Sequence, residues 1–143
     1  MIIVVLDANV AVKWATPAAD EPLSAEARRL MARHMLGEIE FIVPDVFWAE
    51  LANVLWKGAR RRRWTREDAE RAIADTLARD FVTIASASLL QEAVKIAFDN
   101  DQGVYDCLYA ALAVQAKTDL ITADERLANA LAARFPVKWL GAF

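Results

Sequence analysis

The chain has 143 residues, enough for one compact domain and too few for two ordinary ones. Hydrophobic residues make up 57% and charged residues 26%, which supplies a full core and excludes wholesale disorder. No apolar run reaches the roughly 18–20 residues of a membrane span, and Cys107, the single cysteine, excludes an internal disulfide framework.

The start, residues 1–6, is apolar but lacks a basic leader region, and Asp7 follows at once. It reads as a strand, not a signal peptide, and with the lone cysteine it places the protein in the cytoplasm. Downstream, short apolar runs alternate with longer amphipathic ones. Residues 2–6, 41–43, 81–84, 120–122 and 137–140 are short and rich in Ile, Val, Phe and Leu, and they predict strands. Ile2–Leu6 is apolar on both faces, as a central strand covered by helices on each side must be.

Between these runs lie helical patterns. Residues 23–37 carry Leu23, Ala27, Leu30, Met31 and His34 on one face. A helix over residues 46 to about 62 follows Pro44-Asp45, where the aspartate can cap. Thr65-Arg66-Glu67-Asp68 resembles a capping box and opens a helix to about Ala78. Residues 88–98, 104–117 and 124–134 complete the set. No repeat, low-complexity segment or linker interrupts the chain. Strands alternating with helices imply an α/β fold in one domain, residues 1–143, with a parallel sheet and helices on both faces. Ligands of such sheets bind beyond the carboxyl ends of the strands.

Four carboxylates stand in costly places. Asp7 directly follows the first strand, where it can cap the next short helix. In the helix containing Phe47-Trp48-Ala49-Glu50-Leu51-Ala52-Asn53, only Glu50 and Asn53 are polar up to Trp56; with Lys57 they form one narrow stripe that faces either solvent or an internal polar site. Asp106 is the one charged residue of 104–114. A carboxylate in so apolar a helix needs a cap role, a cationic partner or a metal. Thr122 and Asp124 lie just past the fourth strand, on the rim that Asp7 occupies in a parallel sheet, although Asp124 can also cap the helix that follows. Acids gathered on one rim repel unless a cation holds them together. An all-oxygen set suits Mg²⁺ or Mn²⁺, not zinc, and such a site suits phosphodiester hydrolysis.

Four short motifs occur in order: Val-Val-Leu-Asp7-Ala-Asn9, then Ala49-Glu50-Leu51-Ala52-Asn53-Val54-Leu55, then Tyr105-Asp106-Cys-Leu-Tyr109-Ala-Ala-Leu-Ala, and last Leu-Ile-Thr122-Ala-Asp124. With them the chain resembles the PIN-domain ribonucleases, especially the VapC toxins of bacterial and archaeal toxin–antitoxin pairs, over essentially its whole length. The resemblance implies a three-layer α/β/α sandwich with five parallel strands in the order 3-2-1-4-5. It implies Mg²⁺ or Mn²⁺, an RNA substrate, a homodimer, and inhibition by a small antitoxin whose tail enters the active-site groove. By this resemblance Asp7, Glu50, Asp106 and Asp124 are the metal-site acids, and Asn9 and Thr122 orient carboxylates and water. One departure stands out: many relatives carry another acid or a histidine followed by Phe after the last aspartate, where this chain has Leu127-Ala128.

The formal net charge of -3 does not exclude local basic surface. Arg60–Arg63 form a dense run that is either a solvated helix end or a contact for RNA or an acidic partner, through Arg61, Arg62 and Arg63. His34, the one histidine, belongs at a helix border, Cys107 in the core, and Asp101 in a turn. Trp48 and Trp56, two turns apart, point to packing or an interface. A receiver domain would need an aspartate at the end of residues 81–85, which have none. A haloacid-dehalogenase-like phosphatase would need a second aspartate where Asn9 stands. The remaining rival is a non-catalytic PIN-like module that binds RNA or protein, against which the retention of four like charges argues.

Overall fold

The computed structural model describes residues 1–15 and 21–143. Five strands, β1 (Ile2–Leu6), β2 (Ile39–Pro44), β3 (Val82–Ile84), β4 (Asp119–Thr122) and β5 (Val137–Trp139), form one sheet in the order β3-β2-β1-β4-β5. Every neighbouring pair is parallel. Around it run α1 (Ala8–Ala15), α2 (Ser24–Met35), α3 (Val46–Arg60), α4 (Arg66–Leu77), α5 (Leu90–Asn100), α6 (Val104–Ala116) and α7 (Glu125–Leu131). This is the α/β fold with a parallel sheet that the periodicity predicts, in the three-layer form and strand order that the family resemblance implies.

The central strand follows from its composition. Val4, Val5 and Leu6 are all buried, since both faces of β1 are covered, and consecutive apolar residues are then needed instead of alternating ones. Helix α6 packs across β1, β2 and β4 and against α5, while α1 to α4 pack on one another as a second group. Phe41, Phe47, Leu51, Tyr109, Leu112, Leu120 and Ile121 are among the largest buried side chains. Cys107 is fully buried, as expected for a core thiol, and burial pushes its pKa up to about 11. His34 stands in the last turn of α2, its Nδ1 2.9 Å from the Ile39 carbonyl and its ring against Phe41 and Phe81.

The element ends differ from the sequence reading in physically transparent ways. Strand β2 starts at Ile39, before its most apolar stretch, because Ile2 pairs with Ile39 and donates its amide to the Glu38 carbonyl at 2.9 Å. Ser86–Ser88 form a single 3-10 turn, so α5 starts at Leu90. The capping box at Thr65 and Asp68 forms as predicted. Asp45, by contrast, gives no side-chain cap to α3; its carboxylate instead accepts the Ser86 hydroxyl beyond β3. Asp101 takes the left-handed conformation, φ 52°, that ends α5. Among the described residues no helix is long and apolar enough to cross a membrane.

Candidate active site

The parallel sheet brings the ends of β1 and β4 side by side, and the site grows from that rim. Leu6 pairs with Ile121, and the amide of Asp7 donates to the Ile121 carbonyl at 3.1 Å. The backbone of Asp7 is therefore fixed by the ladder itself. The residue is 5% exposed. Its Oδ1 accepts the Asn9 amide at 3.3 Å, a weak cap on α1, and its Oδ2 accepts the Thr122 hydroxyl at 2.9 Å.

Thr122 is saturated by its neighbours. Its Oγ1 receives Asn9 Nδ2 at 3.1 Å and the Asp124 amide at 3.1 Å, which commits the hydroxyl proton to Asp7. Asn9 Oδ1 in turn accepts the Ala123 amide at 3.0 Å. One amide and one hydroxyl thus tie the loop after β4 to the start of α1. Such fully satisfied networks hold their members to one arrangement. Asp124 caps α7 by accepting the Leu127 amide on Oδ1 at 3.1 Å, which leaves Oδ2 free of that bond.

The other two acids come from helices. Glu50 is half-buried on α3 and accepts the Tyr109 hydroxyl on Oε1 at 2.7 Å. Asn53 and Lys57, its companions in the polar stripe, are exposed, so the stripe splits: one end faces the site and the rest faces solvent. Asp106 lies in the first turn of α6, where the cap residue, Gly103, has no side chain to cap with. Among the described residues Asp106 accepts no hydrogen bond and has no ion-pair partner, so capping does not account for it.

Electrostatics join the four positions. Burial pushes the pKa of Asp7 from 3.8 up to about 7, opposed by its hydrogen bonds and reinforced by the charges of Asp106 and Glu50. Burial likewise raises Glu50, with Asp106 adding to it against the Tyr109 hydrogen bond. Asp106 is raised by burial and by Asp124, with Arg126 opposing. Each acid of the set therefore feels, or is felt by, another. They are not packed into a ready cage: among the described residues no three Asp, Glu, His or Cys side chains are close enough to hold an ion as they stand. The site is an open rim of oxygen donors carrying unrelieved repulsion. A cleft of about 440 Å³ elsewhere, lined by Trp14, Met31, Met35, Arg71, Asp75 and Thr76 among others, includes none of the four acids.

Tyr109 is the site residue that the sequence reading passed over. It looked like one more large residue in an apolar helix, but it stands three residues after Asp106 and so shares its face. Burial keeps its hydroxyl protonated far above the ordinary tyrosine range.

The basic run is divided by its contacts. The Arg60 guanidinium lies over the Trp56 ring at 5.3 Å, and Trp56 is exposed. Arg63 reaches Glu21, Nη2 to Oε2 at 2.8 Å, beside the Lys13 to Glu21 pair at 2.9 Å. Trp64 folds back onto α3, donating to the Leu55 carbonyl at 2.8 Å; a Cβ at Gly58 would stand 1.9 Å from its ring. Arg61 and Arg62 remain exposed in the turn between the helices. Trp48 packs on Phe47 and Phe81 and donates to Thr83 at 3.0 Å.

Among solved structures the chain is similar to PAE2754 from Pyrobaculum aerophilum, with 20% identity, a TM-score of 0.69, and coverage of 99% of this chain and 85% of that one. It is similar to VapC20 from Mycobacterium tuberculosis, described as a toxin that cleaves the sarcin-ricin loop: 17% identity, TM-score 0.66, 92% and 95% covered. It is also similar to VapBC2 from Rickettsia felis, at 14% identity, TM-score 0.62, and coverage of 96% and 98%. Identities this low show a shared fold. Comparison with curated proteins yields no significant match. The sequence profile of the PIN domain matches residues 4–131, from within β1 to the last residue of α7, and the chain belongs to the PIN-domain family.

Proposed function

We propose that the protein is a metal-dependent endoribonuclease, the toxin of a type II toxin–antitoxin pair, with Asp7, Glu50, Asp106 and Asp124 as its working acids. One observation carries the reading. Asp7 is buried at the carboxyl end of β1, with no cationic side chain paired to it among the described residues, and it is repelled by Asp106 and Glu50. A fold keeps so unfavourable a group when something outside the chain compensates it.

The donor chemistry fits a hard divalent cation. The set is all oxygen, which matches Mg²⁺ or Mn²⁺ and not zinc. Asp7, Asp106 and Asp124 would hold it, with Glu50 beside them. When bound, such an ion supplies an activated water and neutralises charge on the phosphate that is being cleaved. The chain's own residues do the rest. Thr122 keeps Oδ2 of Asp7 engaged, Asn9 keeps Thr122 in place, and the α7 cap engages Oδ1 of Asp124 and leaves its second oxygen free of that bond. The open rim leaves room for a polymer, as RNA requires, where a closed pocket would not.

The likeness to VapC20 and to VapBC assemblies supports RNA as substrate and a small antitoxin as partner that covers the same rim. The working form we propose is a homodimer, as the family resemblance implies. The test is incubation of the purified protein with a mixed RNA pool. Cleavage should require Mg²⁺ or Mn²⁺ and stop with EDTA. Intact RNA under all conditions, with binding retained, would make the protein a non-catalytic module.

Arg61 and Arg62, exposed like their neighbours but engaged among the described residues by neither a ring as Arg60 is nor an acid as Arg63 is, are expected to add electrostatic grip on the RNA. Every phosphate that a side chain neutralises on a single strand steepens the salt dependence of log K by about 0.7. Arg61→Gln with Arg62→Gln should therefore lower the slope by about 1.4 for the two charges, measured by fluorescence anisotropy across a salt series. An unchanged slope would make the turn merely solvated. Arg63→Gln should act differently, by freeing Glu21 from its pair, and show in thermal stability more than in the slope.

A further inference from the structure

We infer that Tyr109 is a positioning residue that makes Glu50 a one-oxygen ligand, and so biases the acid cluster toward a small divalent cation over a larger one; the inference rests on the cation reading proposed above. The geometry is specific. Tyr109 is fully buried on α6 and its hydroxyl donates to Oε1 of Glu50 at 2.7 Å, joining α6 to α3 across 59 positions of sequence. Its oxygen also lies near the Ala8 amide and the Asp7 charge. The hydroxyl is therefore set among three elements of the rim.

Glu50 is long, half-exposed and attached to a helix face that otherwise looks into solvent. Left alone it would sample several rotamers, and ordering it would cost entropy at the moment of binding. The rigid, buried phenol removes that cost in advance. It also divides the carboxylate: Oε1 is committed to Tyr109 and Oε2 is open.

That division distinguishes cations. Mg²⁺ and Mn²⁺ favour compact octahedral sites in which a carboxylate lends one oxygen, whereas Ca²⁺ takes more ligands and uses carboxylates with both oxygens. Two-oxygen binding by Glu50 would turn Oε1 toward the cation and draw its electron density away from the Tyr109 hydroxyl, bending and weakening that bond, and a poorly satisfied buried hydroxyl is costly. Tyr109 thus favours the smaller ion twice, by placing Oε2 and by penalising use of Oε1.

The test compares wild type and Tyr109→Phe, which keeps the ring and removes the hydroxyl. Each is titrated calorimetrically with Mg²⁺, Mn²⁺ and Ca²⁺ without RNA. Outer partners of metal ligands typically carry about 10–100-fold in affinity. Mn²⁺ and Mg²⁺ binding should weaken by about tenfold or more, while Ca²⁺ binding stays level or improves, so the Mn²⁺ to Ca²⁺ preference drops. A parallel change for all three ions, or none, would overturn the inference alone. Absence of binding by wild type would overturn the cation reading together with it. A second measurement needs no change at Tyr109. The infrared carboxylate splitting induced by Mn²⁺ in wild type and abolished in Glu50→Gln should be that of one-oxygen ligation; a two-oxygen splitting would contradict the assignment.

Discussion

Asp7→Asn is expected to lower RNA cleavage by about a thousandfold or more while leaving the fold intact. Asn is nearly isosteric with Asp, so its amide oxygen can still accept one of the two hydrogen bonds now taken from Asn9 and Thr122. The charge disappears, and with it a ligand whose cation would stabilise the transition state by several kcal/mol, about 1.4 kcal/mol per factor of ten. Asp106→Asn should behave alike, because among the described residues no hydrogen bond holds the Asp106 carboxylate for the change to break. Initial rates on one defined RNA, with circular dichroism to check folding, measure both. Near-wild-type cleavage by either variant would remove that residue from the mechanism.

The second large effect is on stability and concerns the metal-free protein. The folded-state pKa of Asp7 is raised from 3.8 to about 7, so the folded chain holds a proton that the unfolded chain has already released over that window. Stability is full below about pH 4, falls as pH rises toward 7, and stays at its lower level above. A rise from 3.8 to about 7 corresponds to at most about 4 kcal/mol. Asp7→Asn cannot titrate, so the metal-free variant should melt above wild type at pH 8 and lose that advantage near pH 4. Adding Mg²⁺ should narrow the gap at pH 8 by stabilising wild type, roughly 2.7 kcal/mol at a hundredfold excess over Kd. Melting curves of both proteins at pH 4, 6 and 8 check it. A pH-independent difference between them would show that Asp7 does not carry the buried charge.

Much of this was legible before folding, for identifiable reasons. The strands were readable because Val4, Val5 and Leu6, like Leu120 and Ile121, are consecutive buried residues and so lack polar interruption. Asp7 and Asp124 were readable because strand ends in a parallel sheet share one rim. The strand order was not contained in periodicity, and came from resemblance to a family. What failed were questions of partnership. Asp45 looked like a cap, but Ser86, more than forty positions away, takes its carboxylate. The stripe Glu50, Asn53, Lys57 could not be assigned to site or solvent because α3 crosses from one to the other. Arg63 looked equivalent to Arg61 and Arg62, yet Glu21 binds it. Tyr109 carried the right spacing from Asp106, but a tyrosine in an apolar helix announces packing first. Long-range pairings of this kind are set by topology, which one chain's local pattern does not encode.

The proposed activity turns on whether these four acids bind a cation. Mn²⁺ titrated into metal-free protein and followed by electron paramagnetic resonance tests it most directly, since free Mn²⁺ gives the six-line signal and bound Mn²⁺ does not. Wild type should suppress that signal at substoichiometric Mn²⁺, and Asp7→Asn and Asp106→Asn should each restore most of it. Suppression equal in all three proteins, or absent in wild type, would contradict the account.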